Sequence, residues 1–199
     1  MDATPTKTVR GPYAKSTKQR DVIILTALEY FAQHGYHGAS MREIARQVGL
    51  SQAGLLHHFP TKADLLMAVL ESRDTLSGIA ARTAVEQAQD PLAGMTAVIL
   101  ANTTQRRLVQ MFLVVSAEAT DEHHPAHGYF RRRSQAVIGL MRAGLEQALE
   151  RGLVRAELDL DLAARQCQAL MYGLQAQWLF DPSTDMVATF EQLLDSFRS

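Results

Sequence analysis

The sequence predicts an all-α protein, and three observations predict it. Apolar residues recur at helical spacing along most of the chain, and strand-like alternation is almost absent. Capping residues and breakers punctuate that pattern at intervals suited to helices. The composition, 47% hydrophobic and 21% charged over 199 residues, supports a packed core rather than disorder. The expected architecture is an N-terminal unit of three short helices followed by a larger helical unit, about nine helices in all.

Residues 1–16 are polar and carry Pro5, Gly11 and Pro12, so they read as a flexible basic tail. The first helix is expected over residues 17–34, with Ile24, Ala27, Leu28, Phe31 and Ala32 as its apolar stripe. Gly35 closes it, because glycine tolerates the left-handed conformation that ends a helix. Ser40 then caps a short second helix, and Glu43 three residues on completes a capping box. Gly49 ends that helix, Ser51 caps a third over about 52–58, and Pro60 stops it. Thr61 with Asp64 caps the fourth, which runs to about residue 88. Two short helices joined by a four-residue turn containing glycine describe a helix-turn-helix. Longer helices follow, from Asp90, over about 105–120, over about 126–151, from Asp159 or Asp161 to about 180, and over about 184–198. The change from short to long helices predicts two units, 17–65 and 66–199.

The net charge of −1 hides a polarity. Residues 1–62 hold eight basic and four acidic residues, a net of +4, and the remainder carries −5. A basic N-terminal part on an acidic body suits an anionic partner for the first part alone. A single cysteine, Cys167, excludes an intramolecular disulfide and a Cys-rich metal site, and fits a reducing compartment. No apolar run approaches the ~18 residues of a membrane span, and the N-terminus has no apolar core of a secretory signal. These features predict a cytoplasmic protein. Motifs for nucleophilic, phosphate-loop, dinucleotide or zinc-protease chemistry are missing, so no enzyme and no cofactor are expected.

From Arg20 to Leu66 the sequence resembles the DNA-binding domain of the TetR family of bacterial repressors. The resemblance rests on "ILTALEYFAQHGYHGAS", "MREIARQVGLS" and "QAGLLHHFPTKADLL", with Ala27, Phe31, Gly35, Ile44, Ala45, Gly49, Ser51, Leu55, His58, Phe59, Lys62 and Leu65 in register. It covers about a quarter of the chain. The residues agree with it. Leu55 and Phe59, four apart, can share the inward face of the third helix, leaving Gln52, Ala53 and Leu56 outward. Gln52 is the candidate for an adenine contact, and Ala53 for a thymine methyl. Ala53 and Gly54 are small enough for close approach. Where the family often has glycine and tyrosine, this chain has Ala53 and Leu56, and a competing reading packs Leu56 on the fourth helix.

The resemblance implies phosphate contacts by Lys62, Thr61 and His57, with His58 partly packed and also within reach of the DNA backbone. Ser40 and Arg42 open the second helix toward the backbone of the duplex, and Ser51 opens the third. Arg10, Lys15, Lys18 and Arg20 form a candidate arm along phosphates or into a minor groove, against the plainer reading of a solubilising tail. The adjacent His57 and His58 diverge by about 100° on a helix and do not converge on one metal ion. In "EHHPAH", Glu122, His123, His124 and His127 form a more serious candidate for a metal loop, although Pro125 between them favours an exposed connector.

A palindromic operator requires two recognition helices about one turn of DNA apart, so a homodimer is expected. Its interface falls on the last two helices, through Ala163, Cys167, Leu170 and Leu174 of the eighth. The ninth adds Met186, Val187, Phe190, Leu193, Leu194 and Phe197. Packing of both stripes within one chain is the alternative. The resemblance further implies a small-molecule effector that releases a repressor from DNA. Its candidate pocket residues are Met111, Phe112, Val115, Met141, Tyr172, Gln175 and Trp178, each of which is otherwise plain core.

Overall fold

The computed structural model of the chain describes the backbone of residues 12–199 and the side chains of residues 17–199. Most of the expected tail, with Arg10, lies outside the described residues, as does the side chain of Lys15. Among the described residues nine helices follow one another, α1 (Pro12–Gly38), α2 (Met41–Gln47), α3 (Gln52–His58), α4 (Lys62–Ala88) and α5 (Ala93–Thr103), then α6 (Arg106–Glu118), α7 (His127–Glu150), α8 (Leu160–Phe180) and α9 (Met186–Asp195). No described helix is long and apolar enough to cross a membrane.

The first helix begins five residues earlier than expected, at Pro12, a residue suited to the first helical position. Its regular turn breaks at Gly35, whose φ is +66°. That conformation favours glycine, and a Cβ there would also lie 2.2 Å from Glu118 Oε1 of α6 and displace its carboxylate. Ser40 caps α2 by accepting from the Glu43 amide, but the expected box is only half formed. The Glu43 carboxylate accepts instead from Arg46 Nε, at 2.8 Å. Ser51 caps α3 through the Gly54 amide, at 3.0 Å. The box at α4 is complete, with the Thr61 amide donating to Asp64 and the Asp64 amide to the Thr61 hydroxyl. Gly49, at φ +70°, makes the turn between α2 and α3.

Two hydrophobic cores result. The first joins Ile23, Ala27 and Phe31 of α1 to Ile44 of α2, Leu55 of α3 and the first turns of α4, then continues onto α6 through Leu108, Met111, Phe112 and Val115. The second is built by α5, α7, α8 and α9, with Val109 of α6. Helix α6 therefore presents one face to each core, and its packing on α1 ties the N-terminal helices to the body. Each fully buried leucine or phenylalanine contributes about 1.5–3 kcal/mol, so this shared face is a substantial connection.

The inner residues of the α8 and α9 stripes are used inside the chain, so the expected dimer interface cannot draw on them. Ala163, Cys167 and Leu174 are buried, as are Met186, Phe190, Leu194 and Phe197, while Leu170, Val187 and Leu193 are half-buried. The end of the chain is pinned by the Arg155 amide donating to the Phe197 carbonyl, at 3.0 Å. Burial pushes the Cys167 thiol up to about 12, as expected of an inert buried cysteine. The faces of α8 left outside carry Leu162, Arg165, Ala169 and, at its end, Phe180, which is 90% exposed.

Candidate nucleic-acid interface

Helix α3 is held from one side. Leu55 is fully buried and Phe59, just past its end, nearly so. Rotating by about 100° per residue carries Gln52, Ala53, Leu56 and His57 to the other side, where all are exposed. Leu56 is 37% exposed and lies outside both cores. Arg42 is exposed on the first turn of α2, and Lys18 near the start of α1. This is a small, polar, weakly basic ridge whose geometry comes from two local signals, a glycine turn and a serine cap.

Several residues expected on phosphate are engaged within the protein. Lys62 Nζ donates to the carbonyls of Tyr36 (2.8 Å), Ala39 (3.1 Å) and His37 (3.4 Å), using all three ammonium hydrogens to close the end of α1. It also sits 4.5 Å from the centre of the Tyr36 ring. The Thr61 hydroxyl donates to Asp64 at 2.7 Å. Arg20 donates to the His58 carbonyl at 3.0 Å and lies over the Phe59 ring, so it braces the end of α3. His58 is half-buried, while Ser40 is half-buried behind its cap. A Cβ at Gly54 would meet Ser51 Oγ at 3.3 Å and Leu50 Cβ at 3.7 Å. The small size of Gly54 therefore suits the turn beneath α3.

The histidines of the 122–127 segment turn to different partners. His123 contacts Asp121 at 3.1 Å, and His127 Nδ1 contacts the Ala119 carbonyl at 3.0 Å. The His124 ring is buried against Tyr36 and His37, and burial lowers its pKa. Among the described residues no three of His, Cys, Asp and Glu converge as metal ligands. His124 belongs to a junction that sequence reasoning missed, where Glu118 of α6 accepts the Tyr36 amide at 2.6 Å and links the body to the end of α1.

The expected effector residues are mostly core. Met111, Phe112 and Val115 lie in the first core, and Met141 and Trp178 in the second. Gln175 is buried with its side-chain oxygen unpaired. Only Tyr172 lines the cleft of about 480 Å³ between α6, α7 and α8, together with Ser116, Phe130, Ser134, Arg165 and Gln168. Beside it lies a second missed feature, a half-buried polar network. Asp74 of α4 accepts from Arg133 of α7 at 2.7 Å and from the Tyr129 hydroxyl, while Arg133 also donates to the Tyr172 hydroxyl at 3.3 Å. Desolvation and the Asp74 carboxylate raise the Tyr129 pKa, keeping the phenol neutral.

Residues 23–69 match the family model described as bacterial regulatory proteins, tetR family. Over 81 residues the chain is 36% identical to the HTH-type transcriptional activator FasR of Mycolicibacterium smegmatis, a match covering 39% of this chain and 37% of that protein. The chain thus spans little more than a third of that relative. Solved structures match nearly all of this chain. A putative TetR-family transcriptional regulator from Rhodococcus sp. has a TM-score of 0.78 at 22% identity, covering 92% of this chain and 100% of the other. A SmeT–triclosan complex has a TM-score of 0.75 at 18% identity, covering 92% of each chain. At such identity these show the fold alone. With the helix-turn-helix held as described and the family match lying squarely upon it, residues 23–69 belong to the DNA-binding part of the TetR family of bacterial regulatory proteins.

Proposed function

We propose that this protein is a DNA-binding transcriptional regulator, working in the cytoplasm as a homodimeric repressor that a small molecule releases from a palindromic operator. The observation that carries the reading is the outward face of α3, where Gln52, Ala53, Leu56 and His57 are exposed while Leu55 anchors the helix. Residues 17–65 are the DNA-binding unit in this reading, and residues 66–199 the effector and dimerisation unit. Gln52 and Ala53 read base edges, Leu56 makes an apolar contact, and Ser51 opens the helix toward the groove. His57, Arg42 and Lys18 meet phosphates, joined by backbone amides at the starts of α2 and α4.

The dimer forms through the outer faces of α8 and α9, since their inner faces are used within the chain. Phe180, Leu162, Leu170, Val187 and Leu193 keep apolar surface there. Two-fold symmetry then sets the two α3 helices one turn of DNA apart. The family's structural neighbours include a triclosan complex, which supports a small-molecule effector here. A ligand acts only by its difference in affinity between the DNA-competent state and the other. Sequencing of genomic fragments captured by the purified protein tests the reading. A shared palindrome near a promoter is expected, and random recovery overturns it. Activation in place of repression is the second reading, favoured by the name of FasR, and in vitro transcription from the captured promoter separates the two.

A further inference from the structure

The network around Asp74 is out of charge balance. Two guanidinium groups, Arg73 and Arg133, face one carboxylate, and both lie over the Phe112 ring, at 3.7 and 4.7 Å from its centre. Asp74 is committed to Arg133 and Tyr129, which leaves Arg73 with a contact of only 3.4 Å. The Arg73 side chain is 2% exposed, and its Nε has no acceptor. Burial and the Arg133 charge push its pKa down to about 10, so it remains charged at neutral pH. A buried cation with an idle donor is costly, and a carboxylate is the group that satisfies both faults at once.

Arg73 lies in the wall of a groove of about 430 Å³, within the range of small-ligand sites. The groove runs between α1, α4 and the connection from α5 to α6. Leu25, Leu28, Leu76 and Leu108 make its apolar sides, and Arg106 and Arg107 stand at its margin. Of these, Arg107 pairs with Glu29 at 3.3 Å, and Arg106 donates to the Leu179 carbonyl at 2.6 Å.

We propose that this groove receives an amphipathic monoanion, a small apolar body bearing one carboxylate, with the carboxylate drawn to the Arg73 guanidinium. Such a molecule touches α1 and α4 together, so it bears directly on how the DNA-binding unit sits against the body. In this it rests on the regulator reading, and it places the effector at the α1–α4 junction rather than among the residues the sequence nominated.

The test uses the full chain without DNA. Hexanoate, 4-phenylbutyrate and indole-3-acetate are titrated by calorimetry and thermal shift, each beside its neutral primary amide. At least one acid is expected to bind once per chain, about tenfold tighter than its amide. Arg73→Met should abolish that preference, with a melting temperature unchanged or higher because Asp74 keeps Arg133. Leu25→Gln, at an exposed groove position, should weaken acid and amide alike. The proposal is overturned if no acid binds at millimolar concentration, if acid and amide bind equally, or if Arg73→Met retains the preference. Should Arg73→Met fail to fold, the acid–amide comparison and Leu25→Gln decide. Because DNA takes no part, a failed regulator reading shows separately as absent operator binding.

Discussion

Leu56 lies on the outward face of α3 with little packing to lose. Leu56→Tyr should leave folding stability within about 0.5 kcal/mol, as for other surface changes. It should alter operator affinity or preference in a binding titration, by adding a hydroxyl within reach of phosphate or base. Unchanged binding places Leu56 away from DNA. Gly35 is the opposite case, a buried residue with no tolerance. Gly35→Ala combines a left-handed backbone with an overlap on Glu118, and should cost about 1–3 kcal/mol in urea denaturation. Adding Glu118→Ala removes the overlap but not the backbone strain, so only part of the loss should return. At this scale the sequence was legible wherever a signal is local. Gly35, Gly49, Ser51 and the Thr61–Asp64 pair behave as their types and spacing require. Lys62 and Arg20 were not legible, because the carbonyls they cap lie 20 to 40 residues away in sequence.

The nine helices follow the apolar period closely, since that period and the caps are both written within each segment. What each stripe packs against is not written there. The stripes of α8 and α9 suit a dimer seam and an internal core equally well, and the fold uses them internally. A consequence distinguishes the two faces. Phe190→Ala, in the second core, should lower chain stability by about 3–5 kcal/mol in a thermal or urea melt. Phe180→Asp, on the exposed end of α8, should leave the isolated chain's stability nearly unchanged while raising the dimer dissociation constant roughly tenfold or more in sedimentation experiments. If Phe180→Asp leaves the dimer intact, the interface lies elsewhere.

For the whole molecule, the charge polarity of the sequence suits an anionic partner for the N-terminal part, and the proposed function sets that partner on the exposed ridge of α3. The Asp74 network was invisible, because it joins α4, α7 and α8 across gaps of 39 and 59 residues without any local motif. Helix α6, shared between the two cores and bonded to α1 through Glu118, is the structural route from the body to the N-terminal helices. The central claim is that α3 places a dimer on DNA through phosphate contacts and base edges. Fluorescence anisotropy on the captured palindrome and on a scrambled duplex, between 50 and 200 mM salt, tests it most directly. Lys18 and Arg42 of two protomers give about four charged phosphate contacts, so palindrome affinity should fall about a hundredfold across that range. The palindrome should remain preferred throughout, and Gln52→Ala should erode that preference. Salt-independent binding, or equal affinity for both duplexes, would contradict the account.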